Sequence, residues 1–399
     1  MRGLSPHRTV CADTLLAALA IACCASFADT DRARAQTGFY AAEKQELAGA
    51  PGTLIRTEPM RGAPEGAAAY RVLYRSTGLH GEPIAVSGVV VVPAGPTPPD
   101  GRPIIAWAHP TSGVVPRCAP SLALFVFQQI QGLREMVQRG YVVAATDYPG
   151  LGTAGPHPYL VGVSEGRAVL DVVRAARTLP GTGGGHSFAV WGHSQGGQAA
   201  LYTGILAQSY APELSLAGVA AAAPATELAA LMTADLDSAG GRNLTAMTLW
   251  SWARVFGAPI ERAVEPAAIA VVNRLAEECI ESIYDIMLRQ RTARPLAETF
   301  LSIKNPVEVE PWRSLAAENT PGVLPGGIPI FLAQGTDDKL VRPEVTRDYM
   351  GRLCRGGSKV QMVLLPGIDH GFAARNSASA AVDWMADRFA GASAPSDCS

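Results

Sequence analysis

The stretch FAVWGHSQGGQAALY (188–202) decides how the chain is read. Apolar residues run into Gly192-His193-Ser194-Gln195-Gly196-Gly197, and a helix-forming run follows. This is G-x-S-x-G at the point where a strand becomes a helix. A turn that sharp strains the serine backbone and crowds its neighbours two positions away, so Gly192 and Gly196 have to lack a Cβ. Gly197 lets the helix lie close to the sheet. The turn exposes the Ser194 hydroxyl above the strand ends, where a helix N-terminus favours developing negative charge.

Outward from this turn the sequence alternates. YRVLYRST, IAVSGVVVVP, RPIIAWAH, YVVAAT, LAGVAAAAP, IPIFLAQG and VQMVLLPG read as strands. SEGRAVLDVVRAARTL, with Ser164 placed to cap it, GGQAALYTGILAQ and SAAVDWMADRFAG read as helices. Nearly continuous apolar strands between helices predict an α/β fold with a mostly parallel central sheet, covered by helices on both faces. Residues 226–322 break the alternation and separate two strands that should be neighbours. A connection that long needs structure of its own. The stretch is helical in pattern and carries Trp250, Trp252, Phe256 and Trp312. It is expected to be an inserted helical cap on a core formed by 36–225 and 323–399. Trp250, Trp252 and Phe256 then either line an apolar substrate pocket or form a packed helical core.

The 399 residues are 48% hydrophobic and 17% charged, with a net charge of −2, so nothing marks a nucleic-acid partner. Arg2 and Arg8 precede the apolar run TLLAALAIACCASFA, which is short for a bilayer span. Residues 1–35 therefore read as a signal peptide, cleaved after Ala28 or Ala35, with a membrane anchor as the alternative. The expected destination is the periplasm or the exterior. Cys11, Cys23 and Cys24 fall in that signal, leaving Cys118, Cys279, Cys354 and Cys398 in an oxidising compartment. Four cysteines allow three pairings, and spacing does not choose among them. None has zinc-type spacing and H-E-x-x-H is absent, so no metal or other cofactor is expected.

A nucleophilic serine needs a base and an acid, and in this architecture they follow it in the order acid, then histidine. His370, in LLPGIDHGF, is the single histidine after Ser194. Asp369 beside it faces another way in a tight turn. IPIFLAQGTDDKLVRPE offers Asp337 and Asp338. Gly335, Asp338 and Val341 fit the spacing Gly-x-x-Asp followed by an apolar residue, which favours Asp338 and leaves Asp337 to cap the turn. The acid would hold the His370 tautomer and stabilise the imidazolium. The backbone N–H of Gln195 is one expected oxyanion donor. The second should come from His109-Pro110-Thr111-Ser112, where Pro110 has no N–H and Thr111 is the candidate. His109 reads as a structural loop residue. GLGTAG (150–155) matches a dinucleotide fingerprint, but Pro156 and Pro158 forbid the helix that should follow, so it is assigned to the pocket edge. Asn243-Leu244-Thr245 is a glycosylation sequon by pattern alone.

WAHPTSG with CAPS (118–121), TDYPGLGT, PYLVGVSEGRAVLDVVRAAR, WGHSQGGQAAL, GTDD and PGIDH together resemble the secretory lipase family, the α/β-hydrolases that include the fungal lipase A enzymes. The resemblance implies a capped α/β-hydrolase fold, no metal cofactor and carboxylic-ester substrates, often with acyl chains. It implies Ser194, Asp338 and His370 as the triad, and the pairs Cys118–Cys279 and Cys354–Cys398. The expected partner is a small-molecule or lipid ester, with transient contact at a lipid interface and no stable protein partner. The leading expectation is a secreted serine esterase or lipase. A peptidase or amidase with the same triad, and a non-catalytic binding protein on the same fold, are the alternatives.

Overall fold

A computed structural model describes residues 38–398. The expected signal segment, 1–35, lies outside the described residues. The chain divides into two compact units, Met1–Ala41 and Ala42–Ser399, and the sheet and the site belong to the second.

Nine strands form one sheet in the order β1-β2-β3-β5-β4-β6-β7-β8-β9. They are β1 (Leu54–Met60), β2 (Ala67–Thr77), β3 (Pro83–Pro93), β4 (Arg102–Ala108), β5 (Val142–Thr146), β6 (Gly184–His193), β7 (Ser215–Ala222), β8 (Ile330–Gly335) and β9 (Val360–Leu365). The first three strands pair antiparallel and the remaining neighbours pair parallel, apart from the antiparallel join of β3 to β5. Every residue of β5 and β8 is buried, as expected where helices cover both faces. On one face lie α1 (Leu133–Gln138) and α10 (Ala373–Phe389). On the other, α2 (Gly162–Thr178) packs on α3 (Gln195–Tyr210). The predicted strands are all present. The sequence reading did not include β1, a polar edge strand with Pro59 inside it.

Helix α2 begins at Gly162, two residues before the expected cap. Val161 is the N-cap residue, and Ser164 sits inside the first turn with its hydroxyl buried. What ties α2 down is Asp171. Its buried carboxylate accepts hydrogen bonds from Ser76 (2.7 Å) and Tyr210 (2.8 Å) and pairs with Arg174 (2.8 Å).

β7 and β8 are neighbours in the sheet although the intervening chain is long. That chain forms α4 (Leu228–Asp235), α5 (Ala239–Val255), α6 (Pro266–Glu277), α7 (Ile283–Thr292) and α8 (Trp312–Glu318). α9 (Pro343–Arg355) then connects β8 to β9. Among the described residues there are two disulfides. Cys118–Cys279 joins the loop after β4 to the helical insertion, and Cys354–Cys398 fastens the C-terminal tail to α9. Among the described residues no helix is long and apolar enough to cross a membrane.

The Cys354–Cys398 pair closes a loop with a sequence separation of 44. Loop-closure entropy puts the loss on Cys354→Ser with Cys398→Ser at up to about 4 kcal/mol. Urea unfolding of this double variant beside wild type checks the value.

Candidate active site

β6 ends at His193, and α3 starts at Gln195. Ser194 between them has φ 57° and ψ −118°, a strained conformation for a residue with a side chain. Its N–H donates to the Ala222 carbonyl (2.9 Å), and its own carbonyl accepts from Gln198 (3.1 Å) and Ala225 (3.3 Å). The turn is therefore bonded to β7 and its exit loop. A Cβ on Gly192 would stand 2.0 Å from the Gly196 carbonyl oxygen, and one on Gly196 would stand 2.0 Å from the Ala108 carbonyl oxygen. These are backbone approaches that only glycine permits.

His370 opens a short 3₁₀ turn, His370–Phe372, soon after β9. Ser194 Oγ lies 2.8 Å from His370 Nε2, and His370 Nδ1 lies 2.8 Å from Asp338 Oδ2. Asp338 is buried. Its Oδ1 accepts from the Leu340 and Val341 N–H groups (2.9 Å each), and its Oδ2 also accepts from Gln334 Nε2 (3.1 Å). The expected division between the two aspartates needs correcting. Asp338 both meets His370 and caps the turn, whereas the Asp337 side chain is exposed and faces the Thr336 hydroxyl at 3.4 Å, its backbone N–H donating to the Ile368 carbonyl (3.1 Å). Asp369 caps the 3₁₀ turn by accepting from Phe372 N–H.

The first helical residue has no carbonyl four residues back within the helix, so the Gln195 N–H is free of the ladder beside Ser194. Thr111 lines the same cavity as Ser194 and His370, and its hydroxyl lies 3.0 Å from the Tyr159 hydroxyl. His109 is buried. Its Nε2 faces the Asp147 carbonyl (3.2 Å) and its Nδ1 the Pro110 carbonyl (2.7 Å), and desolvation pushes its pKa down to about 4. Asp147, buried itself, accepts from Ser87 and from the Ser121 N–H and hydroxyl. This anchors CAPS beneath the loop.

Two cavities meet at Ser194. The narrow one, about 40 Å³, has apolar walls that include Leu160, Leu231, Met232, Leu244 and Val341. The wider one, about 710 Å³, runs past Thr111, Ser112, Asn243, Ile283 and Phe372. Trp250, Trp252 and Phe256, the expected pocket aromatics, line neither. Trp252 is fully buried and donates its indole N–H to the Tyr159 carbonyl (2.9 Å). Trp250 donates to Asn273 (3.1 Å), with Arg254 over its ring, and Phe256 meets Trp252 edge-on. They are packing residues of the insertion. The face of α5 that reaches the narrow cavity carries Leu244, Thr245 and Thr248. Residues 150–155 also line neither cavity, and there Gly152 N–H donates to the Pro116 carbonyl (2.7 Å). Asn243 of the sequon is buried, and its Oδ1 accepts from Arg289 (2.5 Å).

Three residues at the site were missed by sequence reasoning. His193 Nε2–H donates to the His370 carbonyl (2.9 Å); desolvation first, then the charge of His370, lowers its pKa to about 3. Gln334 braces Asp338, and Glu165 meets the Gln195 side chain at 2.7 Å. His193 occupies a variable position of G-x-S-x-G, and the other two lie on elements read only as a strand and a helix, so no local pattern marks them.

Because the Ala108 carbonyl is backbone and has no way to yield, Gly196→Ala is expected to lose about 3 kcal/mol or more of stability. Gly197→Ala, whose Cβ would meet Pro224 atoms at 2.8 Å, should lose less. Thermal melts of the two variants test the order.

A family model described as secretory lipase matches residues 123–397. Over 194 residues the chain is 27% identical to a probable inactive lipase of Mycobacterium tuberculosis, a match covering 45% of this chain and 43% of that protein. The chain thus spans under half the length of that relative. It is 23% identical over 383 residues to a secreted triacylglycerol lipase of Malassezia globosa, covering 89% of this chain and 79% of the relative. The closed-state structure of Candida antarctica lipase A superposes with a TM-score of 0.73 at 19% identity, covering 90% of this chain and 87% of that one. The fold is that of the α/β-hydrolases. With most of its length matched by the family model, the chain belongs to the secretory lipase family.

Proposed function

We propose that the protein is an exported serine carboxylic-ester hydrolase, an esterase or lipase that works through an acyl-enzyme. The observation carrying this reading is the continuous relay Ser194 Oγ, His370, Asp338, with 2.8 Å at both contacts. Pointing Nδ1–H at the carboxylate leaves Nε2 as the lone-pair base for the Ser194 hydroxyl. Ser194 attacks the ester carbonyl as His370 takes its proton. The N–H groups of Gln195 and Thr111 stabilise the oxyanion. His370 returns the proton to the departing alcohol, and water, activated by the same ring, releases the acid and restores Ser194. Serine, histidine and acid are all in place here, which supports turnover.

Residues 226–322 serve as the cap. Its α4 and α5 supply Leu231, Met232 and Leu244 to the narrow cavity, whose apolar walls suit the first carbons of an acyl chain. On α7, Ile283, Tyr284 and Met287 are exposed, and Ile283 and Phe372 reach the wide cavity. Such an apolar rim supports brief contact with a lipid–water interface. Export is supported by the family and by the two disulfides.

Hydrolysis of p-nitrophenyl esters from acetate to palmitate tests the reading. Ser194→Ala and His370→Ala should each lose at least about 10³-fold in kcat, and Asp338→Asn about 10⁴-fold, with Asp337→Asn within about twofold of wild type. A Ser194→Ala variant as active as wild type would remove the proposal. Activity on amide analogues with none on esters would turn it into a peptidase.

A further inference from the structure

Behind Gln195 lies a buried polar cluster that the mechanism above leaves unused. His157, Glu165 and Gln195 have almost no exposure. Their protonation states follow from one another. His157 Nδ1 lies 2.8 Å from the Pro149 carbonyl, which only accepts, so Nδ1 carries the proton. Nε2 is then bare and has to face a donor. The atom facing it at 2.8 Å is Gln195 Nε2, which fixes the orientation of the amide. The second amide proton goes to Glu165 Oε1 at 2.7 Å, and this oxygen also accepts from the Leu160 N–H at 3.0 Å. Oε1 is thus an acceptor in either charge state, and any proton on Glu165 sits on Oε2.

We propose that Glu165 is a positioning residue for ester hydrolysis: by clamping the Gln195 side chain it holds the Gln195 backbone N–H toward the oxyanion, and its neutral form supports the faster reaction. The inference rests on the hydrolase reading, since the Gln195 N–H matters only where an oxyanion forms. Glu165 has no lysine or arginine within ion-pair distance among the described residues; its one such neighbour is His157, at 3.7 Å. The other titratable groups facing it are phenols: Tyr148, from the segment after β5, and Tyr202, on α3. Both are held neutral, chiefly by burial. His157 stays neutral as well, pushed by desolvation down to about 3. With no cation beside it, burial outweighs the hydrogen bonds from Gln195 and Leu160, which pull the other way, and raises Glu165 to about 8. Once ionised, it places an uncompensated negative charge one side chain behind a growing oxyanion. Like charges in a dry interior repel strongly, so the barrier rises as Glu165 loses its proton.

The same strip supports the opposite wall. Tyr148 stacks on His157 with ring centroids 5.7 Å apart and packs on His109 at 4.3 Å, and its hydroxyl donates to the His109 carbonyl at 3.2 Å. The Thr111 loop and the Gln195 turn are thus backed by one continuous row of rings.

The test measures kcat and KM on p-nitrophenyl butyrate from about pH 6 to about pH 10 for wild type, Glu165→Gln and Glu165→Leu. Glu165→Gln keeps the acceptor and removes the titration. It should hold kcat within about threefold near neutrality and abolish an alkaline decline of about tenfold seen in wild type. Glu165→Leu frees the Gln195 amide and should lower kcat by at least about tenfold with KM within about twofold. A purely structural glutamate would alter stability without moving the alkaline limb. Should Glu165→Leu not fold, the Glu165→Gln profile decides alone. A wild type without an alkaline limb, the same limb in Glu165→Gln, or wild-type kcat in Glu165→Leu overturns the inference while leaving the hydrolase intact. Absence of ester turnover in wild type overturns both.

Discussion

The arrangement depends on two backbone contacts too close for any Cβ. Gly192 meets the Gly196 carbonyl and Gly196 meets the Ala108 carbonyl, which pulls β6, the start of α3 and the end of β4 into one tight knot. Ser194 at its centre sits at φ 57°, a conformation that costs on the order of 1–3 kcal/mol for a residue with a side chain. The knot persists because its surroundings over-determine it. Trp107 and Trp191 fill the sheet beneath it, and hydrogen bonds from the Ser194 backbone reach Ala222, Ala225 and Gln198. The strained turn is thus offset by burial it did not create.

His370 presents a different problem, since it lies past the last strand where no ladder fixes the backbone. Polar contacts from several elements replace the ladder. His193 takes its carbonyl, Asp369 caps its turn, Asp338 takes Nδ1, and Ser194 faces Nε2. Asp338 is itself saturated by Leu340, Val341 and Gln334, so the carboxylate has little freedom to rotate away from the ring. A buried imidazole at His193 suits this task only while neutral, because a charge there would repel an imidazolium at His370; desolvation ensures that it is.

What could be read in the sequence follows the reach of each signal. The parallel strands are legible because burial on both faces makes them uniformly apolar. β1 was not, since an edge strand alternates weakly and tolerates Pro59. The turn at Ser194 and the loops holding Asp338 and His370 are legible because each chemistry needs a residue type at a fixed place relative to a strand. Ser164 was misread as a cap because the helix starts earlier, at a Val161 N-cap without a side-chain bond. Composition left the aromatics of 250–256 open between a substrate pocket and a packed helical core. Their facing is set by partners far away in sequence, such as Tyr159 for Trp252. The Glu165–Gln195–His157 cluster is likewise invisible locally, because its members meet only after α2, α3 and the loop before α2 have packed.

That loop connects the insertion to the oxyanion side. α5 is fastened to it by three hydrogen bonds: Ser251 donates to the His157 carbonyl at 2.6 Å and accepts from the Tyr159 N–H at 3.1 Å, and the Trp252 indole donates to the Tyr159 carbonyl at 2.9 Å. The loop in turn presents the His157 ring to Gln195 and the Tyr159 hydroxyl to Thr111. Residues 157–159 are therefore shared by the helical insertion and by both sides of the proposed oxyanion site. The opposite flank of the insertion is held differently. α7 starts soon after Cys279, whose disulfide reaches Cys118, and beyond that tether its Ile283, Tyr284 and Met287 lie open to solvent. One flank is bonded to residues 157–159; the other, besides its disulfide, is held by the Ile280 N–H bond to the Ser112 carbonyl (2.7 Å) and by Arg289, which donates to Asn243 of α5 (2.5 Å), and it carries exposed apolar side chains. A perturbation at the exposed side chains of α7 acts first on the wide cavity, which α7 lines. One at Ser251 or Trp252 acts directly on the framework around Gln195.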